Sequence, residues 1–200
     1  MTSRFVAVLA DLTGRASPPG IDPAEFGLAL LEDTYEVAAG LDLVTPAMVA
    51  APPIPPEIES ITWPGTPIVP AVGLAEAFTR LHGLGADQAA IIAADAPDLP
   101  PLLIGKLFRA LSHAPVAACP ADSGLVALAA WLPLPDWLRT ALATVDLDTP
   151  DAFTRLRAAA PRPGLVQSGP GWHRLRGPAD IARLDPGLEG WDNTRVLLGG

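Results

Sequence analysis

Two hundred residues, half of them hydrophobic and together carrying a formal charge of −9, can bury one good core and do not suit a nucleic-acid groove. The thirteen basic residues are scattered, Lys106 is the only lysine, and no basic patch is visible. A single cysteine, Cys119, excludes an internal disulfide, and the apolar run Phe5 to Ala10 stops at Asp11, too short for a signal or membrane segment; a cytoplasmic location with no membrane partner is therefore expected.

Arg4 to Ala10 reads as a first, central strand, followed by a loop from Asp11 to Gly20 in a natural phosphate-holding position. Asp22-Pro23-Ala24-Glu25 is a capping box, and Leu28, Leu31, Tyr35 and Ala38 then share a helical face opposite Glu25, Glu32 and Glu36. Leu41 to Ala50 supplies a second strand around Leu43-Val44, its length limited by Pro46, and Ile68-Val69 a short third one, with Ala51 to Pro70 read as a Pro-rich connection. Gly73 opens a helix through Leu74, Ala77, Phe78 and Leu81. Ala89 to Ala94 is wholly apolar, as a strand buried on both faces must be, and it runs directly into Asp95. A helix on Ile104, Leu107, Phe108 and Leu111, a strand at Val116 to Cys119 and a further apolar run at Leu125 to Trp131 follow. Trp137 and Leu138 then mark a helix, and Thr149-Pro150-Asp151 reads as the cap and first turn of another. Beyond Pro161 the pattern thins, leaving only a possible helix near Pro178 to Leu184.

Three carboxylates at two strand ends, Asp95, Asp146 and Asp148, are the chemical signal. Carboxylate oxygens are what a magnesium ion accepts, and a nucleotide-bound magnesium needs only one to three of them from protein. The alternative is that these acids cap helices and order turns. The histidines His82, His113 and His173 lack metal-ligand spacing, and Trp172-His173-Arg174 and Gly190-Trp191-Asp192 are minor candidates for pocket walls.

Gly73 to Phe78, Ala94-Asp95-Ala96-Pro97-Asp98-Leu99, Ala121 to Leu125 and Asp146-Leu147-Asp148-Thr149-Pro150-Asp151, in this order, resemble the nucleotide-diphospho-sugar transferase superfamily. The resemblance covers about residues 4 to 160. It leans toward bacterial glycosyltransferase-like proteins, one branch labelled for arsenosugar biosynthesis, and toward the 2-phospholactate and phosphoenolpyruvate guanylyltransferases. It implies a three-layer α/β fold with a Rossmann-like mixed sheet over residues 1–160 and a C-terminal extension, 161–200, packed on the same domain. It implies further that Asp95 is the catalytic, metal-binding acid, joined by Asp146 and Asp148 around Mg2+ or Mn2+. Gly14 and Arg15 would then face phosphate, and Gly73, Ser123 and Gly124 would line the nucleotide site. Two departures stand out: the first loop offers Arg15 but no lysine, and Asp122-Ser123-Gly124-Leu125 replaces the relatives' Asp-Gly-Gly-Tyr. Two readings follow. One is a magnesium-dependent transferase moving a glycosyl or nucleotidyl group from a nucleotide to a small acceptor. The other is a catalytically inactive binding or scaffold protein of the same fold. Homodimerisation through the Trp-bearing tail is a further expectation.

Overall fold

β1 (Arg4–Leu9) and β4 (Gln88–Ala93) pair in parallel at the centre of a seven-stranded sheet, in register from Arg4–Gln88 to Leu9–Ala93. Apolar side chains on both faces of these strands need cover from both sides, which crossover helices provide. β2 (Thr45–Ala50) and β3 (Ile68–Pro70) extend the parallel part beyond β1; β2 starts after Leu43-Val44, since Leu43 is exposed at φ 63°, and runs through Pro46 instead of ending there. On the other side β6 (Leu125–Trp131) lies antiparallel between β4 and β5 (Val116–Pro120), because the short turn from β5 can only reverse the chain. β7 (Val166–Ser168) closes the edge parallel to β5, giving the order β3-β2-β1-β4-β6-β5-β7. The computed structural model describes residues 2–11 and 17–199.

Side chains alternate between two cores, as the period of two requires. Phe5, Ala7, Ala89 and Ile91 face one layer, built from α3 (Leu74–Gly83), α5 (Asp136–Ala141) and α6 (Ala152–Ala159). Val6, Val8, Ala90 and Ile92 face the other, built from α1 (Pro23–Ala39), the short α2 (Pro56–Ile61) and α4 (Pro101–Ala110). The expected three-layer α/β architecture with a mixed sheet is the one observed. Each fully buried Leu or Ile in these layers contributes on the order of 1.5–3 kcal/mol.

α1 begins as its sequence predicts, with the Asp22 carboxylate accepting from the amides of Ala24 and Glu25 at 2.9 and 3.0 Å. Its second covered face was not foreseen. Phe26 and Leu30 pack with Leu175, Leu184 and Trp191 of the C-terminal segment, whose α7 (Asp192–Leu197) lies along α1. The connection between β2 and β3 contains α2, anchored by Ile58 and by the Tyr35 hydroxyl, which lies 2.6 Å from Thr66 Oγ1 and accepts the Trp63 amide at 3.0 Å. Pro178–Arg183, near the predicted late helix, forms a 3-10 helix. No helix among the described residues is long and apolar enough to cross a membrane.

Candidate functional site

β1 is the strand from which the chain departs in two directions, to β2 on one side and past β4 on the other. The carboxyl ends of a sheet part at such a point and leave a crevice. A cavity of about 360 Å³ lies there, lined by Leu9, Ala10, Ala51, Ala71, Val72 and Leu74 and by the acidic residues Asp11, Asp146 and Asp148. Gly73, which opens α3 with φ +81°, lies in the wall, and a Cβ there would meet nothing within 4 Å. Its conformation, which side-chain-bearing residues rarely adopt, is what turns the chain from β3 into the helix at the mouth of the cavity.

Asp95 follows β4 and is 1 % exposed. A segment of the C-terminal extension crosses the strand ends to reach it: the amides of Gly169, Trp172 and Leu175 donate to the carbonyls of Ala118, Pro120 and Asp95 in turn, at 2.8, 3.1 and 2.7 Å. Arg174 Nε and Nη2 then donate to the two oxygens of Asp95 at 2.5 and 3.0 Å, the paired fork that guanidinium and carboxylate geometry favours. Its Nη1 reaches the carbonyls of Leu125 and Leu147 at 3.0 and 3.1 Å and Asp148 Oδ1 at 2.8 Å. Arg176, on the same side of the extended segment, adds Nε to Asp95 at 3.2 Å and Nη2 to Asp148. Partial burial alone would raise the Asp148 carboxyl, but the two guanidinium groups outweigh it and hold the carboxyl below its ordinary value.

The three predicted metal-binding acids are therefore placed differently from one another. Asp95 and Asp148 converge, and both are met by arginine. Asp146 turns into its own loop, where its Oδ1 accepts the Asp148 amide at 2.9 Å and the Thr149 hydroxyl at 2.8 Å. Thr149 is thereby drawn away from capping: α6 starts at Ala152, after Asp151 in the left-handed region at φ 56°. Among the described residues no three His, Cys, Asp or Glu side chains are grouped to hold a metal ion. The donor set does not fit a divalent cation, since guanidinium groups already lie against the oxygens that the ion would require. Capping fails for Asp95 and Asp98 too: α4 starts after Pro100 without a side-chain cap, and Asp98 instead accepts the Trp172 indole N–H at 3.1 Å.

Ser123 is exposed in the turn between β5 and β6, outside the cavity. Gly124, at φ +80°, does permit a close approach, but of the chain's own backbone: a Cβ there would lie 2.2 Å from the Leu147 carbonyl oxygen. Gly14 and Arg15 lie outside the described residues. Sequence reasoning misses Arg176 altogether and names Arg174 only as part of a minor pocket-wall candidate, not as the partner of Asp95. The signal available was the i, i+2 spacing of the two arginines in an extended stretch, which puts both on one side, while Leu175 faces the cluster of Phe26 and Leu30.

No family model matches this chain, and no curated protein matches it. Solved structures do. A candidate nucleotide-diphospho-sugar transferase from Desulfovibrio desulfuricans G20 superimposes with a TM-score of 0.74 at 15% identity, covering 100% of this chain and 96% of its own. A 4-diphosphocytidyl-2C-methyl-D-erythritol synthase gives 0.61 at 16% identity, with 99% of each chain covered. Rv0371c from Mycobacterium tuberculosis H37Rv, solved as a complex with manganese, gives 0.50 at 18% identity, covering 100% of this chain and 99% of its own. At these identities the likeness is one of fold, and the chain has the fold of the nucleotide-diphospho-sugar transferases.

Proposed function

We propose that this protein is a transferase that takes a glycosyl or nucleotidyl group from a nucleotide donor held in the crevice at the carboxyl ends of β1, β2 and β3. The observation that carries the reading is the chemistry of the cavity walls. The apolar lining of Leu9, Ala71, Val72 and Leu74 suits a base, and the neighbouring acids Asp146 and Asp148 suit the hydroxyl donors of a ribose or a sugar. The fold shared with a candidate nucleotide-diphospho-sugar transferase and with a cytidylyl-compound synthase supports the same class. The chain's own residues would supply binding and alignment of donor and acceptor, which can account for a large part of a transfer rate. The magnesium that the acids suggested is left out of this reading, because Asp95 and Asp148 are engaged by Arg174 and Arg176.

That engagement favours a second reading, a binding or scaffold protein that kept the fold and uses Asp95 only to fasten the C-terminal segment. Melting curves with nucleoside triphosphates and sugar nucleotides, in magnesium-containing buffer, test the first. A true ligand at a hundred times its dissociation constant adds about 2.7 kcal/mol of stability. The exposed Ala51, replaced by tryptophan, should obstruct the cavity and remove the shift without touching the core. A shift that survives Ala51→Trp puts the nucleotide elsewhere; binding without turnover selects the scaffold reading.

A further inference from the structure

We propose that Arg174 and Arg176 stand in for a divalent cation, and that the Arg176 guanidinium receives the phosphates of the bound nucleotide; the inference rests on the nucleotide reading above. Two carboxylates and one divalent ion sum to zero charge, as do two carboxylates and two guanidinium groups. Among the described residues, the cluster of Asp95, Asp148, Arg174 and Arg176 thus carries the charge balance of a divalent metal held by the same two acids. It offers fixed N–H donors where the ion would offer open coordination positions, and a guanidinium fork matches phosphate oxygens as it matches carboxylates.

The two arginines divide the work by burial. Arg174 has a side chain 4 % exposed, with Nε, Nη1 and Nη2 all committed to Asp95, Asp148 and two backbone carbonyls, so it holds the acids in place. Arg176 has a side chain 42 % exposed, and its Nη1 has no partner among the described residues. It is fixed from two directions by Asp95 and Asp148, and from behind by the Asp180 carboxylate, which accepts its backbone amide at 2.9 Å. Asp148 belongs both to this cluster and to the cavity lining, so a nucleotide with its base among Leu9, Val72 and Leu74 would extend its phosphates past Asp148 toward Arg176. Preorganised charge of this kind costs no ordering when the ligand arrives.

Calorimetric titration of the full chain with each of the four nucleoside triphosphates, with their sugar nucleotides and with inorganic pyrophosphate, once with Mg2+ and once with EDTA, tests the proposal. The expected result is binding of a triphosphate or a sugar nucleotide with the same affinity in both buffers, weakened at least tenfold by Arg176→Gln, which is about 1.4 kcal/mol. Arg176→Lys should recover part of the loss, because it restores the charge without the fork. Binding that needs Mg2+, or that Arg176→Gln leaves unchanged, overturns this inference and leaves the nucleotide reading standing. Absence of binding by every nucleotide in either buffer overturns the nucleotide reading and this inference with it. A manganese-dependent rise in melting temperature that Asp95→Asn abolishes would also overturn the inference, since it would show the acids open to a metal.

Discussion

Asp95 and Asp33 are both buried beneath the C-terminal extension and both fasten it to the domain, yet the donors that meet them differ. Asp95 is met by the charged guanidinium groups of Arg174 and Arg176. Asp33, on α1, is met by uncharged donors at the start of α7: the Asn193 and Thr194 amides at 3.0 and 2.7 Å, and the Asn193 side-chain N–H at 2.9 Å. The electrostatic outcomes diverge accordingly. Burial pushes the Asp33 carboxyl up, and the hydrogen bonds from Thr194 and Asn193 only partly oppose it. In the arginine cluster the guanidinium groups prevail and Asp148 is held down. Guanidinium groups beside a carboxyl favour its charged form, whereas burial among amide dipoles that only partly compensate disfavours it. The first arrangement shares Asp148 with the candidate active crevice, whereas Asp33 lines a different cavity with Pro97, Asp98 and Trp191.

Removing the cation should give the largest effect. Arg174→Met leaves Asp95 buried beside a partner that cannot donate, and breaking a buried ion pair from one side costs about 3–5 kcal/mol. Urea denaturation should show that loss. The double variant Asp95→Asn/Arg174→Met should recover much of it, because the buried group that has lost its guanidinium fork is then uncharged. Equal stability of the single and double variants would mean that Arg174 acts through packing and not through its charge.

Asp33→Asn should cost less, about 1–3 kcal/mol, because the amide keeps one acceptor oxygen but presents an N–H to a backbone N–H donor. The loss should be local. Hydrogen exchange should rise first in the amides of 194–198, while β1 and β4 stay protected. A uniform rise over the whole sheet would mean that the α7 clamp holds up the core as well as the tail.

The parts of this molecule legible in the sequence are those decided by local pattern. β1, β4, α3 and α4 follow from apolar runs and helical spacing, and Asp22 caps α1 as its motif requires. That Asp95 meets Asp146 or Asp148 was also legible, although only Asp95 follows a strand: Asp146 and Asp148 lie in the loop between α5 and α6. What met those acids was not. Arg174 lies seventy-nine positions from Asp95, in a tail whose period is too short to define an element, so nothing local ties the two together. Asp33 shows the same limit: among the acids of α1 it resembles Glu32 and Glu36, and only the docking of Asn193 and Thr194, 160 and 161 residues away, sets it apart.

The smallest expected effect is on pH dependence, and there the two clusters should oppose each other. Asp33 has a folded-state pKa above its unfolded value, so its contribution is fully present below the unfolded value, near 3.8, and is lost as pH rises through the raised folded value. Glu32, raised by burial and by Asp33, and Glu36, raised by burial and by Asp33, Glu32 and Asp192, act in the same direction above 4.5. Lowering the pH from neutral should therefore first stabilise the α1–α7 contact. Asp148 has the opposite sign: its stabilisation is present above 3.8 and is lost as pH falls through its depressed folded value, so the arginine cluster weakens only in stronger acid. Urea midpoints measured across the acid range should rise and then fall. Asp33→Asn should reduce the rise and leave the share of Glu32 and Glu36 that comes from burial, and Asp148→Asn should reduce the fall alone. If the midpoint declined steadily from neutral pH in all three proteins, the burial of Asp33 would not be what raises its carboxyl, and the contrast between the two clusters would reduce to the arginines alone.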